Sequence, residues 1–519
     1  MTQPTNPILR GFNPDPSIIR VGEDYYIATS TFEWFPGVQI HHSRDLVHWE
    51  LVARPLNRVS QLDLRGHPDS CGVWAPCLSY DDGTFYLVYS NVKTFDGPWL
   101  DSPNYLVTTK DILGDWSDPI FLSASGFDGS LFHDDDGRKW YTSMLYDHRE
   151  SRFFGGLIMQ EYDPVRRQLA GPVHRIFEGT ALGKTEGPHL YRRNGFYYLI
   201  AAEGGTEYGH AVTMARSQTI EGPYEVHPAN PIISSADAPQ HALQKAGHAD
   251  LVETPDGDWF AVFLVGRPLS THGRCILGRE TAIEPMVWKD DDWLYTKSGE
   301  QTPTHWGEGS LTKELDNFEG SISKHFQSLR APISSEWLDL ESRSGFVRLY
   351  GRESLSSLFS QSLIARRIQH FQVEVTTCLD FAPASFQQMA GLVFYYNTQH
   401  FHYLHLTADD AGNRQLVLIT VDKHQYIEHE VTPVPAGGVW LRGHLNRDAL
   451  KFTYSVDGAA WQDIGGKLDA SILSDDYVRD EGHTYRPAFT GAFVGICCQD
   501  LTGKRCYADF DWFKYEEYE

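Results

Sequence analysis

A chain of 519 residues exceeds what one hydrophobic core supports, since cores stop growing at about 250 to 300 residues, and two domains are expected. Its 69 Asp and Glu against 44 Lys and Arg give a net charge of −25. That charge repels phosphate backbones and anionic lipid surfaces, which argues against nucleic-acid and membrane partners. A hydrophobic content of 41% with 14 Trp, 26 Tyr and 28 Phe is that of a chain folded throughout.

The first residues, MTQPTNPILRGFNPDPS, lack the basic segment and apolar stretch of a secretory signal, and no run of 18 apolar residues occurs. The seven cysteines are Cys71, Cys77, Cys275, Cys378, Cys497, Cys498 and Cys506. They are odd in number and without CxxC spacing, which speaks against a disulfide framework or a structural zinc and for reduced thiols in a cytoplasm.

Five short segments then line up along the first three hundred residues. They are Asp15-Pro-Ser-Ile-Ile, Trp74-Ala-Pro-Cys-Leu, Asp128-Gly-Ser-Leu-Phe, Glu186-Gly-Pro-His-Leu and His248-Ala-Asp-Leu-Val, spaced 59, 54, 58 and 62 residues apart. Each is followed by a turn and an aromatic-rich strand, in GEDYYIATS, DDGTFYLVYS, DDDGRKWYTSM, RRNGFYYLIAA and PDGDWFAVF, the pattern of a hairpin in an antiparallel sheet. SRDLVHWEL, TTKDILGDWSD and ARSQTIEGPYE supply outer strands and turns in three of the units. Repeats of this length, rich in strands and poor in helical periodicity, predict the blades of a five-bladed β-propeller. A sandwich or solenoid with resembling hairpins is the competing reading. Against it stands the first repeat position, which reads Asp, Trp, Asp, Glu, His instead of one small structural residue.

After Trp293 the chain turns polar and irregular through KSGEQTPTHWGEGSLTKELDN, a linker that divides residues 1–305 from 306–519. Beyond it, Phe371, Val373 and Val375 alternate with polar residues, as do Leu450, Phe452, Tyr454 and Val456, the period of half-buried strands. A β-sandwich is predicted, making the chain all-β.

In a propeller the inner strands start near the axis, so the five first-position side chains converge on one mouth of the channel. Three carboxylates there cannot all be comfortable anions, and at least one should hold a proton near neutral pH. A protonated carboxyl facing an ionised one is the equipment for glycosidic hydrolysis. Glu186 is the candidate acid, because its longer side chain reaches into the channel. Asp15, held in Asn13-Pro14-Asp15-Pro16, is the candidate base, and Asp128 would orient Glu186 and raise its pKa. Separation across a channel fits the inverting spacing of roughly 6.5 to 9.5 Å better than the retaining ~5 Å. Trp74 could stack on a sugar ring, and His248 could bind substrate or a cation. Ca²⁺ or another divalent cation near His248 is therefore kept as an option, although no metal is assigned and no cofactor is required. There is no G-x-S-x-G and no phosphate loop.

The strings FNPDPS, TSTFEWFPGVQIHHSRDLVHW, GVWAP, SGFDGSLFHD, TEGPHLY, AAEGGT, GHADLVET and LGRETA closely resemble the inverting β-D-xylosidases of glycoside hydrolase family 43. Many of these also act as α-L-arabinofuranosidases. The resemblance continues through FQSLRAP, LYGRES, FQQMAGLVFYYN, SDDYVRD and FTGAFVGI, and so covers essentially the whole chain. It implies a five-bladed propeller followed by a concanavalin-like sandwich that closes the active site, with Asp15 as base, Glu186 as acid and Asp128 as the residue tuning it. It also implies that Phe32, Trp74, His248 and Arg279 shape the sugar pocket and that Phe489 covers it from the second domain. Such a blind pocket implies exo-action on xylo-oligosaccharides, and the resemblance implies a homo-oligomer, a tetramer or a dimer. An arabinofuranosidase, a retaining enzyme of the fructosidase type and a non-catalytic carbohydrate-binding propeller are the alternatives. Two departures stand out. Cys77 occupies a position where relatives carry Asp, and GRPLSTHGRCILGRE is shorter than in some of them, which bears on the wall beside Arg279.

Overall fold

The computed structural model describes residues 5–95, 97–307, 309–479 and 488–519. Each repeat forms its own antiparallel sheet. The inner strands are Ser17–Val21, Gly72–Asp81, Ser130–His133, Glu186–Arg193 and Gln244–Glu253, each followed outward by its hairpin partners. The turns foreseen in the sequence close these hairpins. Val21 pairs with Asp24, Asp81 with Thr84, His133 with Lys139, Arg193 with Phe196 and Glu253 with Trp259. Every inner strand packs against the inner strands of both neighbouring sheets, so the five sheets form a closed ring. Leu9, ahead of the first blade, bridges to Thr281 of the fifth.

The second region is a sandwich of two large sheets. One contains Tyr507–Glu517, Gln372–Phe381, Val439–Asn446 and Ala449–Ser455, and the other Ser362–Arg367, Phe493–Asp500, Gln388–Asn397 and His400–Ala408. The alternation in the sequence is realised in Val373, Val375, Leu450 and Phe452, which are buried. It fails at the edges: Phe371 lies before its strand begins and is only half-buried, and Val456 falls past the end of its strand and is exposed. Part of the supposed linker is also ordered, because Lys313–Asp316 pairs with Tyr507–Glu517. Among the described residues no helix is long and apolar enough to cross a membrane, and all seven cysteines are free thiols.

The two regions are sewn together by backbone. Trp34–Phe35 leaves the first blade and pairs with Gln327–Leu329, entering a sandwich sheet as its edge strand. The division at residue 305 is thus not clean in space. The Trp34 indole stacks on Phe493 at 3.8 Å between ring centroids, and one apolar cluster runs from Phe12, Phe32 and Trp74 into Leu363, Tyr395 and Phe493. Beside it lies a buried cation. Arg330, 1% exposed, donates from Nε to the His67 carbonyl and from Nη2 to Asp69 Oδ1, both at 2.8 Å. Removing one partner of a buried pair leaves the other charge uncompensated. Arg330→Ala is therefore expected to cost about 3–5 kcal/mol in denaturant unfolding. Arg65→Ala, which breaks the exposed pair with Asp63, should cost about 1 kcal/mol or less.

Candidate active site

The ring delivers its side chains through a repeated backbone device. Just before or within the first half of each inner strand one residue adopts left-handed φ: Asp15 at 53°, Ala75 at 32°, Asp128 at 55°, Gly187 at 57° and His248 at 50°. This shifts the sequence alignment by one residue in two blades. In the first, third and fifth blades the left-handed residue itself points into the channel mouth. In the second and fourth it is Ala75 and Gly187, and the preceding residues, Trp74 and Glu186, supply the side chains. The residues two places on, Ser17, Cys77, Ser130, His189 and Asp250, then fall at equivalent places, followed by Ile18, Leu78, Leu131, Leu190 and Leu251. A side chain at Gly187 would displace His248, because a Cβ there would lie 2.9 Å from its ring, besides the cost of the positive φ.

Asp15, Asp128, Glu186, Phe32, Trp74, His248, Arg279 and Phe489 all line one cavity of about 620 Å³. Asp15 is gripped on both oxygens. Arg279 Nη1 donates to Oδ1 at 2.9 Å and the Ser30 hydroxyl to Oδ2 at 2.7 Å. Arg279 also donates from Nη2 to the Phe489 carbonyl at 3.0 Å. The His248 Nδ1 lies 4.0 Å from Asp15 Oδ1 and 3.9 Å from Asp128 Oδ2, so carboxylates of the first and third blades flank one imidazole.

The electrostatics follow from burial. The Glu186 carboxyl is pushed up to about 8, first by burial and then by the charge of Asp15, with Arg279 and Lys184 pulling the other way. Asp128 is held well above the ordinary carboxylate range by burial, Glu186 and Asp15, partly offset by Arg279 and the Gly187 N–H. Burial holds His248 down to about 4, so its ring is neutral. The three carboxyls therefore carry fewer than three charges near neutral pH. Glu186 and Asp128 are raised together, each disfavouring the charge of the other, and the charge of Asp15 raises both.

The walls are aromatic. Trp74 donates its indole N–H to the Ser70 carbonyl at 3.0 Å and meets Phe127 and Phe489 edge-on at 5.3 Å. Phe489 sits over the propeller from the sandwich, its own N–H bonded to the Ser70 hydroxyl at 3.1 Å and its ring 6.0 Å from Phe32. Sequence reasoning missed Phe95, Phe127, Tyr146, Phe154 and Lys184, which also line the cavity. Phe95, Phe127 and Lys184 lie in loops and Tyr146 and Phe154 on the strands Lys139–Asp147 and Phe153–Asp163, all outside the repeat position, and the local density of aromatics in LYDHRESRFF hints only at Tyr146 and Phe154. It also missed Ser30, which besides Asp15 holds the Ala75 N–H at 2.8 Å. Cys77 lies outside this cavity, lining a separate one with Ser79, His133 and Asp250. Among the described residues no group of three or more His, Cys, Asp or Glu side chains is disposed to hold a metal ion.

The chain is similar to known proteins across both of its regions. Residues 4–294 match the family of glycosyl hydrolases family 43, and residues 315–516 match the β-xylosidase C-terminal concanavalin A-like domain. A xylosidase/arabinosidase 43B of Humicola insolens is 51% identical, covering 99% of this chain and 98% of that protein. A β-xylosidase of Bacillus subtilis is 49% identical over 99% of both. The crystal structure of a xylan β-1,4-xylosidase from Bacillus halodurans superposes with a TM-score of 0.95 at 50% identity, covering 99% of this chain and 100% of that one.

The raised Glu186 carboxyl has a cost in stability. Its ordinary value is 4.5 and its folded value about 8, so between these the native state binds more protons than the unfolded one, and stability falls as pH rises. Glu186→Gln removes that burden. The Tm of the variant minus that of the parent chain should grow as pH rises from 4.5 to about 8 and level off above it. A constant difference would contradict the shift.

Proposed function

This chain belongs to glycosyl hydrolase family 43, and from that premise we propose that it is an exo-acting, inverting β-xylosidase releasing D-xylose from the non-reducing ends of β-1,4-xylo-oligosaccharides. The observation that carries the reading is the meeting of Asp15, Asp128 and Glu186, from three different blades, in one cavity that Phe489 covers from the sandwich. A covered pocket admits a chain end and not a chain middle. Family relatives named as β-xylosidases at about half identity over full length support the same substrate class.

In this mechanism Glu186, whose raised pKa keeps it protonated at neutral pH, donates its proton to the glycosidic oxygen as the bond to the anomeric carbon breaks. Asp15, aimed by Arg279 and Ser30, takes a proton from a water whose oxygen bonds to that carbon from the opposite face. The sugar leaves with its configuration inverted. Asp128 acts as a positioning residue, sharing the proton load of the cluster and flanking His248. Trp74, Phe32 and Phe489 offer aromatic faces to the ring of the sugar. Activity on α-L-arabinofuranosides belongs to the same reading, because arabinofuranose can present similar hydroxyls to one pocket, and a relative named xylosidase/arabinosidase favours it. The free thiols suit a reducing compartment, where imported oligosaccharides would be the substrate.

Proton NMR of the first turnover products of β-xylobiose should find α-xylose ahead of the β anomer; early β-xylose would reject inversion. Glu186→Gln should lower turnover of unactivated xylo-oligosaccharides by at least about a hundredfold, with little loss on aryl xylosides whose leaving group needs no proton. The profile of kcat/KM against pH should be bell-shaped, with its alkaline limb near pH 8 set by Glu186. Lys184 pulls that carboxyl down, so Lys184→Met should move the alkaline limb to higher pH. An unmoved limb would remove Glu186 from the acid role.

A further inference from the structure

A second cavity, of about 500 Å³, lies between the propeller and the sandwich, lined by Arg10, Gln39, His41, His325, Arg366 and Arg367 among others. Its chemistry is unlike the rest of this acidic protein. Among the described residues that line it there is no Asp or Glu. Two of its arginines have carboxylate partners behind the wall: Arg10 pairs with Glu517 at 3.0 Å and Arg366 with Glu314 at 2.5 Å. Arg367 has none. It is 6% exposed and bonds only neutral oxygens, with Nε donating to the Phe12 carbonyl at 2.5 Å and Nη1 to Gln39 Oε1 at 3.0 Å and to Gln327 Oε1. Arg54, beside it, likewise donates only to neutral oxygens, those of Lys324, Phe326 and Gln39. Arg367 Nη2, Arg54 Nε and His41 Nδ1 are all buried without a hydrogen-bond partner.

A buried guanidinium beside a half-buried one, neither with a counter-charge, is costly, because desolvation and mutual repulsion add. Both effects push Arg367 below its ordinary range, and burial holds Arg54 down to about 9. Donors in this state attract an oxyanion that can accept from a planar fork. We propose that this interdomain cavity binds a small inorganic oxyanion of the phosphate or sulfate class, held chiefly by Arg367, with His41 as a further donor. The cavity has room for such an ion with part of its hydration shell, since a water takes about 30 Å³ in the liquid. The ion would join the two domains: Arg367 belongs to the sandwich strand Ser362–Arg367 and His41 to the propeller strand Gln39–Ser43. It would also brace the turn that carries Asp15, because Gln39 holds Asn13 Oδ1 at 2.8 Å and Arg367 holds the Phe12 carbonyl.

The test uses the full chain and needs no hydrolytic assay. Thermal unfolding is followed while inorganic phosphate replaces chloride at constant ionic strength. A ligand that binds only the native state raises Tm in step with its occupancy. The general exclusion of phosphate from protein surfaces raises Tm without saturation and regardless of residue 367. Expected is a saturating rise in the parent chain that is absent in Arg367→Gln. An equal rise in the variant, or no rise beyond the chloride control, would overturn the proposal. Since Arg367→Gln could itself fail to fold, crystals of the parent chain soaked in selenate give a second reading. An anomalous peak within hydrogen-bond reach of Arg367 Nη2 supports the site, and a cavity without one rejects it.

Discussion

The guanidinium of Arg279 is the point on which the active site depends. It comes from the fifth blade, holds the carboxylate of Asp15 from the first, and reaches the Phe489 carbonyl of the sandwich. One planar cation thereby sets the distance between the base, the ring of the propeller and the cover. It also supplies the counter-charge that three buried carboxyls require, since it moderates both Glu186 and Asp128. A lysine could supply the charge but not the two simultaneous directions. Its guanidinium lies 5.5 Å from the rings of both Phe32 and Phe489, so the same group fastens the aromatic wall.

The fold and the centre of the site were largely legible in the sequence because a repeat carries geometry without needing contacts. Five strand entries at like spacing sufficed to bring Asp15, Asp128, Glu186, Trp74 and His248 together. The alignment nevertheless slipped by one residue at Trp74 and Glu186, since a large functional side chain opens every segment whether or not that residue takes the left-handed backbone. Ala75 and Gly187 carry it, and only backbone angles reveal that. Phe32, Arg279 and Phe489 came from family resemblance alone. The one comes from a loop, the next from the third strand of a blade and the last from a distant domain, and no periodicity links them. The strand Trp34–Phe35 was illegible for a simpler reason: two residues are too few to carry an alternating pattern.

Charge is distributed in a way that net composition conceals. A chain with 25 more acidic than basic residues gathers carboxyls into one cavity, where they are forced to keep protons, and guanidiniums into another, where Arg367 lacks a carboxylate. The first arrangement sustains acid chemistry at neutral pH. The second lies just behind the first, across Asn13 and Phe12. Both are expensive to bury, and both persist because the apolar cluster shared by the two domains fixes the surrounding backbone.

The strand that the first blade lends to the sandwich bears on how such proteins can be rearranged. Its partner Gln327–Leu329 would present bare amides and carbonyls if a foreign ring were spliced in front of it, and an open sheet edge invites self-association. Recombination at the intervening polar segment would therefore yield sticky chimaeras, whereas exchange of both halves together would not. The pair should be inherited as one indivisible module, with diversification confined to the loops around the pocket.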